Sequence, residues 1–295
     1  MTFAELDSAP GLAPRLPDAL RLGAVHLTVT DLDRSVAWYQ EALGLRVHAH
    51  EATRAELGDG HEVVLVLHED AQAQPAGRQA GLYHYALLYP SRQELARAAV
   101  RLAVTRTPIQ GASDHGTHEA IYLPDPDGIG IELAADRPRE VWPTPEEEFS
   151  RGGPMPLDLD SLLGSVAGED LQPQVGQGLR MGHVHLHAGD VERGLEFYRD
   201  LIGFELWAQL PTAAFVSAGG YHHHLAFNTW MGRGVGPAPE HSVGLHRWTV
   251  QLPAAADVEA VAARLEAAGL SPVRSADGFE IADPWDIPVR FEVAA

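Results

Sequence analysis

Histidine is the residue type that dominates the chemistry open to this chain. The 295-residue sequence contains 16 His and no Cys, so a metal site would have to use imidazole and carboxylate ligands. Eight of the histidines lie between residues 183 and 246. His183, His185 and His187 alternate, and so share one face of a predicted strand. The absence of Cys excludes disulfides, thiolate nucleophiles and Cys-ligated iron–sulfur clusters.

The net charge limits the classes of partner. Lys and Arg number 21 against 41 Asp and Glu, which gives a formal charge of −20 at pH 7. Such a charge disfavours nucleic acid and anionic membrane surfaces. Residues 1–20 lack the basic and apolar blocks of a signal peptide, and no apolar run is long enough to span a bilayer. We therefore expect a cytoplasmic protein that acts on a small molecule, and a homodimer is left open.

The elements that must position these residues are arranged as an internal repeat. Val25–Arg34 recurs as Val184–Arg193, and Leu43-Gly44-Leu45 recurs as Ile202-Gly203-Phe204, both at an offset of 159 residues. Asp125-Pro126 recurs as Asp283-Pro284 at an offset of 158. The repeat predicts an N-terminal extension (1–20), a first domain (21–137), a linker rich in Pro, Gly and acidic residues (138–179) and a second domain (180–295).

Each copy is predicted to contain two units of the form strand, helix and three strands, so the expected fold class is α+β with four βαβββ modules. In the second copy, Asp190 caps a helix that runs through Tyr198, and Gly203 ends it. A second helix is predicted over 257–268, and strands over 182–188, 204–209, 213–217, 222–228, 246–252, 272–274, 279–282 and 289–293. The linker is predicted to carry a short helix, Ser161–Val166, capped by Asp160, and an acidic run, Glu146–Glu148, at the solvated surface.

Several of these segments resemble the vicinal oxygen chelate superfamily, which includes glyoxalase I, extradiol dioxygenases, fosfomycin-resistance enzymes and bleomycin-binding proteins. The resemblance lies in Gly81–Ala86 and Ile121–Glu132 of the first copy. In the second copy, Gly182–His185 and Gly219–His224, running into Asn228–Trp230, are similar to the two-domain catechol-2,3-dioxygenase group. The resemblance covers about residues 21–137 and 180–295. It implies tandem glyoxalase-like domains whose modules form cupped, partly open mixed sheets.

The resemblance also implies a set of metal ligands. Its ligand positions fall on His84 and Glu132 in the first copy and on His183 and His224 in the second. The remaining positions carry Ala24, Arg247 and Arg290, and a guanidinium cannot bind a metal. Each copy thus holds half a set, which predicts one composite site shared by the two domains, although a site within one domain stays open. Because a register slip would exchange neighbouring residues, His222 and His223 are alternatives to His224.

The reaction implied by the resemblance is extradiol ring cleavage of a catechol-type diol by O2. Fe(II) is the expected metal, and Zn, Ni, Mn or Co stay open. His115, Tyr122 and His223 are the candidate acid, base and orienting groups, while His118 and Glu119 are predicted to be surface residues. Tyr221, Trp230 and Trp248 could wall an aromatic substrate or belong to the core. The alternatives are a glyoxalase-type lyase or isomerase, favoured by His224, and a non-catalytic drug-binding protein.

Overall fold

Two mixed sheets carry the fold in the computed structural model, which describes residues 15–150 and 152–294. Their strands are β1 (Arg21–Leu22), β2 (Val25–Val29), β3 (Arg46–His50), β4 (Arg54–Gly58), β5 (Val63–Glu69), β6 (Gln74–Pro75), β7 (Gly81–Tyr89), β8 (Gly111–Asp114), β9 (His118–Pro124), β10 (Gly130–Asp136), β11 (Met155–Pro156), β12 (Arg180–His187), β13 (Glu205–Leu210), β14 (Ala213–Ser217), β15 (Leu225–Asn228), β16 (Ser242–Leu252), β17 (Val273–Ser275), β18 (Gly278–Ala282) and β19 (Pro288–Val293).

The helices separate the first and second strands of each module. They are Leu32–Leu43, Arg92–Thr105, Val191–Leu195 with its wider continuation Glu196–Ile202, and Ala255–Ala267, and the linker adds Arg139–Val141, Pro145–Ser150 and Leu159–Gly164. In every module the first and last strands pair in parallel: β2 with β5, β7 with β10, β12 with β15, and β16 with β19. The predicted α+β fold of four βαβββ modules is therefore confirmed.

Each sheet combines one half of each copy. One sheet runs β17-β18-β19-β16-β2-β5-β4-β3, and the other runs β11-β8-β9-β10-β7-β12-β15-β14-β13. In the second sheet β7 of the first copy pairs antiparallel with β12 of the second copy. The strand orders end at free edges, so both sheets are open, as predicted. The second half of the first copy and the first half of the second copy therefore face a common space.

Local sequence signals set the ends of the repeated helices. The Asp31 carboxylate accepts a hydrogen bond from the backbone N–H of Arg34 (2.9 Å), and Asp190 does the same for Arg193 (2.9 Å). Gly44 (φ 72°) and Gly203 (φ 102°) end the two helices in the left-handed region, which costs glycine little. In each copy these caps end the helix at the point where the chain turns back into the following strand.

The segment 138–179 carries two further helices and strand β11 besides the short helix that was predicted there. The helix at the predicted place is Leu159–Gly164 rather than Ser161–Val166, and Asp158, not Asp160, caps it by accepting from the backbone N–H of Ser161 (2.9 Å). Glu148 is half-buried, so the acidic run is only partly a solvated surface. Of the predicted extension 1–20, residues 1–14 lie outside the described residues. The domain boundaries at 137 and 180 stay predictions.

The largest departure from the predicted strands concerns the three consecutive histidines. The strand expected over 222–228 begins only at Leu225. Gly219 and Gly220 both adopt positive φ angles (61° and 65°), and the irregular chain that follows does not alternate. Face alternation therefore does not decide which of His222, His223 and His224 faces the site. None of the described helices is long and apolar enough to cross a bilayer.

Candidate metal centre and active site

Three donor atoms from both copies converge in the sheet that contains β7 and β12. Glu132 Oε2 lies 3.1 Å from His84 Nε2 and 3.2 Å from His183 Nε2. The two imidazole nitrogens are 3.3 Å apart. All three residues are buried. The structure thus brings together three of the four predicted ligands.

Strand register explains this convergence. Ala86 of β7 is the pairing partner of Glu132 in β10 on one side and of His183 in β12 on the other. Paired residues project from the same face of a sheet, and His84 shares that face because it lies two residues from Ala86. The small side chain of Ala86 leaves room between the three donors. A register shift between Met181 and His183 places His183 in this line.

The surroundings of Glu132 keep its carboxylate ionised although it is buried. Burial alone would raise the pKa of Glu132, but the charge of His183 and hydrogen bonds from His118, His183 and His84 hold that pKa well below its usual value. Burial lowers the pKa of His183, against the opposing effect of Glu132. A carboxylate beside a neutral imidazole is the protonation state that metal ligation requires.

The donor set fits a divalent metal ion. Ligand atoms separated by 3.1–3.3 Å can all lie about 2 Å from one ion. Two imidazoles and one carboxylate on one side of an ion form the triad typical of non-haem Fe(II) oxygenases. His84, Glu132 and His183 could therefore hold such an ion.

His118 holds the second oxygen of the candidate ligand Glu132. Its Nε2–H donates to Glu132 Oε1 (3.0 Å), and its Nδ1 lies 2.9 Å from the Thr117 hydroxyl oxygen. The prediction that His118 and Glu119 are surface residues is wrong: both are buried, and Glu119 accepts from Arg92 (2.6 Å). Alternation along β9 was the available signal, because His118 and Tyr122 share a strand face.

The predicted pair His115 and Tyr122 is in contact at the rim of the same cluster. His115 Nε2 and the Tyr122 hydroxyl oxygen are 2.7 Å apart, and Tyr122 is the pairing partner of Glu132 across β9 and β10. Burial and the neighbouring His118 lower the pKa of His115 to about 3. Burial and Glu132 raise the pKa of Tyr122 well above its usual value. The pair is therefore a neutral imidazole and a neutral phenol that can share one proton.

His222 and His223 form a hydrogen-bonded chain with Asp136. His222 Nε2–H donates to Asp136 Oδ1 (3.1 Å), and the Nδ1 atoms of His222 and His223 lie 2.8 Å apart. Burial is the main cause of the lowered pKa values of both imidazoles, to about 3 for His222. In neutral His222 the Nδ1 must accept, so His223 Nδ1–H donates. This leaves His223 Nε2 as an unprotonated acceptor, and His223 lines the cavity beside His183.

His185 does not offer its Nε2 to the centre. Asn228 Nδ2–H donates to His185 Nε2 (2.9 Å), while Asn228 Oδ1 accepts from His187 Nδ1–H (2.9 Å) and from the backbone N–H of Trp230 (2.9 Å). The Asn228 amide thus fixes the tautomers of both imidazoles. Among the alternating histidines of β12, His183 is the one whose Nε2 faces Glu132.

A cavity of about 340 Å³ opens onto the three donors. This volume suits a small aromatic ligand. Trp207, Phe215 and Trp230 contribute aromatic surface, and His115, Tyr122 and His223 line the same space. Of the predicted aromatic wall, Trp230 is present and Trp207 and Phe215 were missed.

The comparisons with known proteins decide the family. The family model of the Glyoxalase/Bleomycin resistance protein/Dioxygenase superfamily matches residues 21–133 and 180–284. This chain belongs to that superfamily. A catechol-2,3-dioxygenase of Bacillus subtilis (strain 168) is 38% identical over 268 residues, covering 89% of this chain and 93% of the relative. The predicted likeness to the two-domain catechol-2,3-dioxygenase group, and to oxidoreductases of that kind, is thereby confirmed.

Solved structures of the same fold agree in architecture. Glyoxalase I from Zea mays has a TM-score of 0.57 at 18% identity, covering 93% of this chain and 92% of the maize chain. A solved protein of Bacillus subtilis subsp. subtilis str. 168 has a TM-score of 0.62 at 14% identity, covering 95% of this chain and 86% of the other. At these identities the likeness concerns the superfamily fold alone.

Three predicted site residues of this superfamily member lie away from the three donors. His224 lines a separate cavity with Arg180, and its Nδ1 accepts from the backbone N–H of Ala218 (3.2 Å). Tyr221 donates its hydroxyl to Asp136 (3.0 Å), behind the chain of histidines. Trp248 is fully buried in the core beside Tyr198. The placements of His224 as a ligand and of Tyr221 and Trp248 as substrate walls are therefore corrected.

The sheet that contains β2 and β16 carries a different group of side chains at the place that the repeat relates to the three donors. In this sheet His26 Nδ1 lies 2.9 Å from His68 Nε2, and the ring of His246 stacks on His68. The guanidinium of Arg247 lies 3.4 Å from His26 Nε2, and burial and Arg247 lower the pKa of His26 to about 2. Arg247 lies here as the sequence predicts, whereas the three imidazoles were not predicted.

Proposed function

We propose that this protein is an extradiol dioxygenase that opens the ring of a catechol-type diol, with Fe(II) held by His84, Glu132 and His183. The convergence of these three donors from both copies is the observation that carries the proposal. The relative described as a catechol-2,3-dioxygenase supports the reaction class. An Fe(II) ion would supply a Lewis acid and one coordination sphere for both diol oxygens and O2.

The residues around the cavity would bind and deprotonate the diol. His223 Nε2, held as an acceptor by the chain from Asp136, would take a proton from a diol hydroxyl. The Tyr122 hydroxyl, bonded to His115 Nε2, would orient the second oxygen. Trp207, Phe215 and Trp230 would pack on the ring and exclude water from the reacting carbons. Tyr221 and Trp248 have no part in this arrangement.

The choice of Fe(II) over Zn, Ni, Mn or Co rests on the donor set and on O2 chemistry. A small-molecule diol and O2 are the proposed partners, and cytoplasmic location stays part of the proposal.

The glyoxalase-type alternative was favoured by His224 as a ligand, and His224 faces another cavity. The drug-binding alternative requires ligand positions without donors, whereas three donors converge here.

The decisive experiment is turnover of catechol under air by Fe(II)-loaded protein. We expect oxygen uptake and a yellow ring-fission product, with close to one bound ion per chain. Glu132→Gln and His183→Gln should each abolish ion binding and turnover, because they remove donors contributed by different copies. Glu280→Gln, which alters a carboxylate of the other sheet, is the matched control. Oxygen-independent conversion of a hemithioacetal, without ring opening of any diol, would contradict the proposal.

A further inference from the structure

We propose that the diol taken by this site carries a bulky uncharged substituent, which lies in a groove beside the metal cavity. This inference rests on the proposed function, because it names the substrate class of the same site. The groove has a volume of about 630 Å³, whereas the cavity at the three donors has about 340 Å³. A bare catechol ring would leave the larger of these two spaces to water.

Two aromatic side chains stand where the groove and the cavity meet. Tyr83 and Trp230 line both spaces, with their rings edge-on at 5.3 Å. Both remain well exposed, at 41% and 51% of their surface, although they lie beside buried imidazoles. Two hydrogen bonds fix Trp230. Its Nε1–H donates to the Thr212 hydroxyl (3.2 Å), and its backbone N–H donates to Asn228 Oδ1 (2.9 Å). Because these two rings are in edge contact, a substituent on a ring bound at the centre would reach the groove across their exposed outer edges.

The walls of the groove are mainly apolar side chains and bare backbone. They come from the connection between β6 and β7 with the start of β7, from the turn between β9 and β10, and from the chain that leads into β16 with the start of that strand. The larger apolar side chains are Leu82, Ile129, Met231, Val243 and Leu245, and the polar residues Gln79, Gln110, His187 and Ser242 also line the groove. Gly77, Gly128 and Gly244 also line the groove, and a Cβ built on any of them would meet no atom within 4 Å. The space above these glycines is therefore open to a ligand.

The charges at the groove disfavour an anionic substituent. None of the described lining residues is Lys or Arg. The carboxylate Asp127 is held by the Thr30 hydroxyl (2.6 Å) and by Arg34 (2.5 Å), and the nearby Arg78 donates to the carbonyl oxygen of Met231 (3.0 Å). A carboxylate on the substituent would lie near Asp127, in a chain of net charge −20, and the guanidinium groups of Arg34 and Arg78 already donate to other oxygens. The groove therefore fits an uncharged aryl or alkyl group.

A series of diols tests the substituent directly. Fe(II)-loaded protein is titrated without oxygen with catechol, with phenylcatechol, and with phenylcatechol that carries a carboxylate on the far ring; binding is followed by Trp fluorescence. We expect phenylcatechol to bind about tenfold more tightly than catechol, and the carboxylate to remove that gain. Equal affinities for all three diols would overturn the proposal even if all were turned over. Failure of every diol to be turned over under air would instead contradict the proposed function and this inference with it.

A matched pair of variants tests the location. Ala76 is half-buried and lines the groove, whereas Ala71 is exposed in the same region of the chain and does not. In Ala76→Trp the preference for phenylcatechol over catechol, measured as a ratio of dissociation constants, should fall about tenfold. In Ala71→Trp the ratio should equal that of the unmodified protein. Because each ratio is taken within one protein, a general loss of folded protein does not affect it. An unchanged ratio in Ala76→Trp would overturn the proposal.

Discussion

At the scale of single residues, the two oxygens of Glu132 have different tasks. Oε2 faces His84 and His183, and Oε1 accepts from His118. A carboxylate held at one oxygen presents the other in a fixed direction, which is how hydrogen-bonded neighbours strengthen metal sites. In the proposed centre His118 would therefore position Glu132 through Oε1, the oxygen that does not face His84 and His183.

Replacing His118 tests this positioning role. His118→Phe keeps an aromatic ring at the buried position but removes the donor to Glu132 Oε1. We expect metal affinity to fall about 10–100-fold while the fold is kept. The measurement is competition for the metal against a chelator of known affinity. His224→Gln, which alters a half-buried imidazole in a neighbouring cavity, should leave the affinity unchanged; unchanged affinity in His118→Phe would contradict the assignment.

His223 and His224 are adjacent in sequence and should differ sharply in function. His223→Gln removes the acceptor Nε2 that faces the cavity, so kcat for catechol should fall about 10²–10⁴-fold. His224→Gln should change kcat little, because His224 lines a different cavity. Steady-state rates under air, at equal metal content, distinguish the two. Equal losses in both variants would mean that this irregular segment acts only through its fold.

The family resemblance pointed to His84, Glu132 and His183, and its positions could be carried over because all three residues lie within strands. The sequence did not predict the position of His224, because Gly219 and Gly220 adopt positive φ angles and the chain is not a strand at the three histidines. His118 was missed for another reason. A polar residue near a turn is usually exposed, whereas His118, the first residue of β9, is buried where its side chain meets Glu132.

At the scale of elements, β7 joins the two strands that carry the other donors of the proposed centre. It supplies His84, and its Ala86 pairs with Glu132 on one side and His183 on the other. No other described strand contacts both ligand-bearing neighbours in this way. The side chain at position 86 therefore controls the space between the donors without contributing a polar atom.

Enlarging this side chain should block the centre. Ala86→Leu would place a larger apolar group on the face that carries the three donors, so we expect loss of metal binding of at least about tenfold, with a destabilisation of about 1–3 kcal/mol from overpacking. Ala86→Gly, which leaves the space open, should retain the metal. Metal stoichiometry after dialysis and thermal unfolding separate these effects. Full metal binding by Ala86→Leu would show that the donors converge elsewhere.

The helices are tied to the strand turns by a buried pair that occurs in both copies. Tyr39 donates its hydroxyl to Asp125 (3.1 Å), and Tyr198 donates to Asp283 (2.8 Å). Both carboxylates also accept two backbone N–H groups of their turns. Burial raises the pKa of each carboxyl to about 6, against the lowering effect of these hydrogen bonds.

These raised pKa values give a signed pH dependence. Between about pH 4 and pH 6 the folded protein retains protons that the unfolded chain has lost, so stability falls as pH rises through that window. Asp125→Asn should remove one such contribution. The free energy of unfolding of the variant minus that of the parent should therefore rise by about 2–3 kcal/mol between pH 4 and pH 7. Asp283→Asn should behave alike. Urea unfolding at several pH values provides the measurement, and parallel pH curves would contradict it.

Element types were predictable where capping and alternation agree. Asp190 and Gly203 bound a helix whose end lies at Ile202, and strand β14 lies at the predicted residues. Less regular segments were not predictable. The short strands β1, β6 and β11 form by pairing with β16 or β8, which are distant in sequence. Local sequence does not contain this information.

At the scale of the whole molecule, neither copy forms a sheet on its own. Each sheet is built from one half of each copy, with β7 against β12 in one sheet and β2 against β16 in the other. The buried core is continuous across both copies. Complementary loss of ligands indicated this pairing in the sequence, because His84 and Glu132 remain in one copy and His183 in the other.

Cutting the connection between the copies should therefore leave the centre intact. A protease site inserted after Gly168, in the exposed stretch Ala167–Asp170, cuts the chain without interrupting either sheet. We expect the two fragments to stay associated during gel filtration and to keep the bound ion, because the paired strands and the apolar core hold them together. After denaturation, fragments refolded separately should bind no ion with the original affinity, since neither has all three donors. Fragments refolded together should recover it. Recovery of full metal affinity by one fragment alone would show that a single copy contains the centre, contrary to the shared sheet.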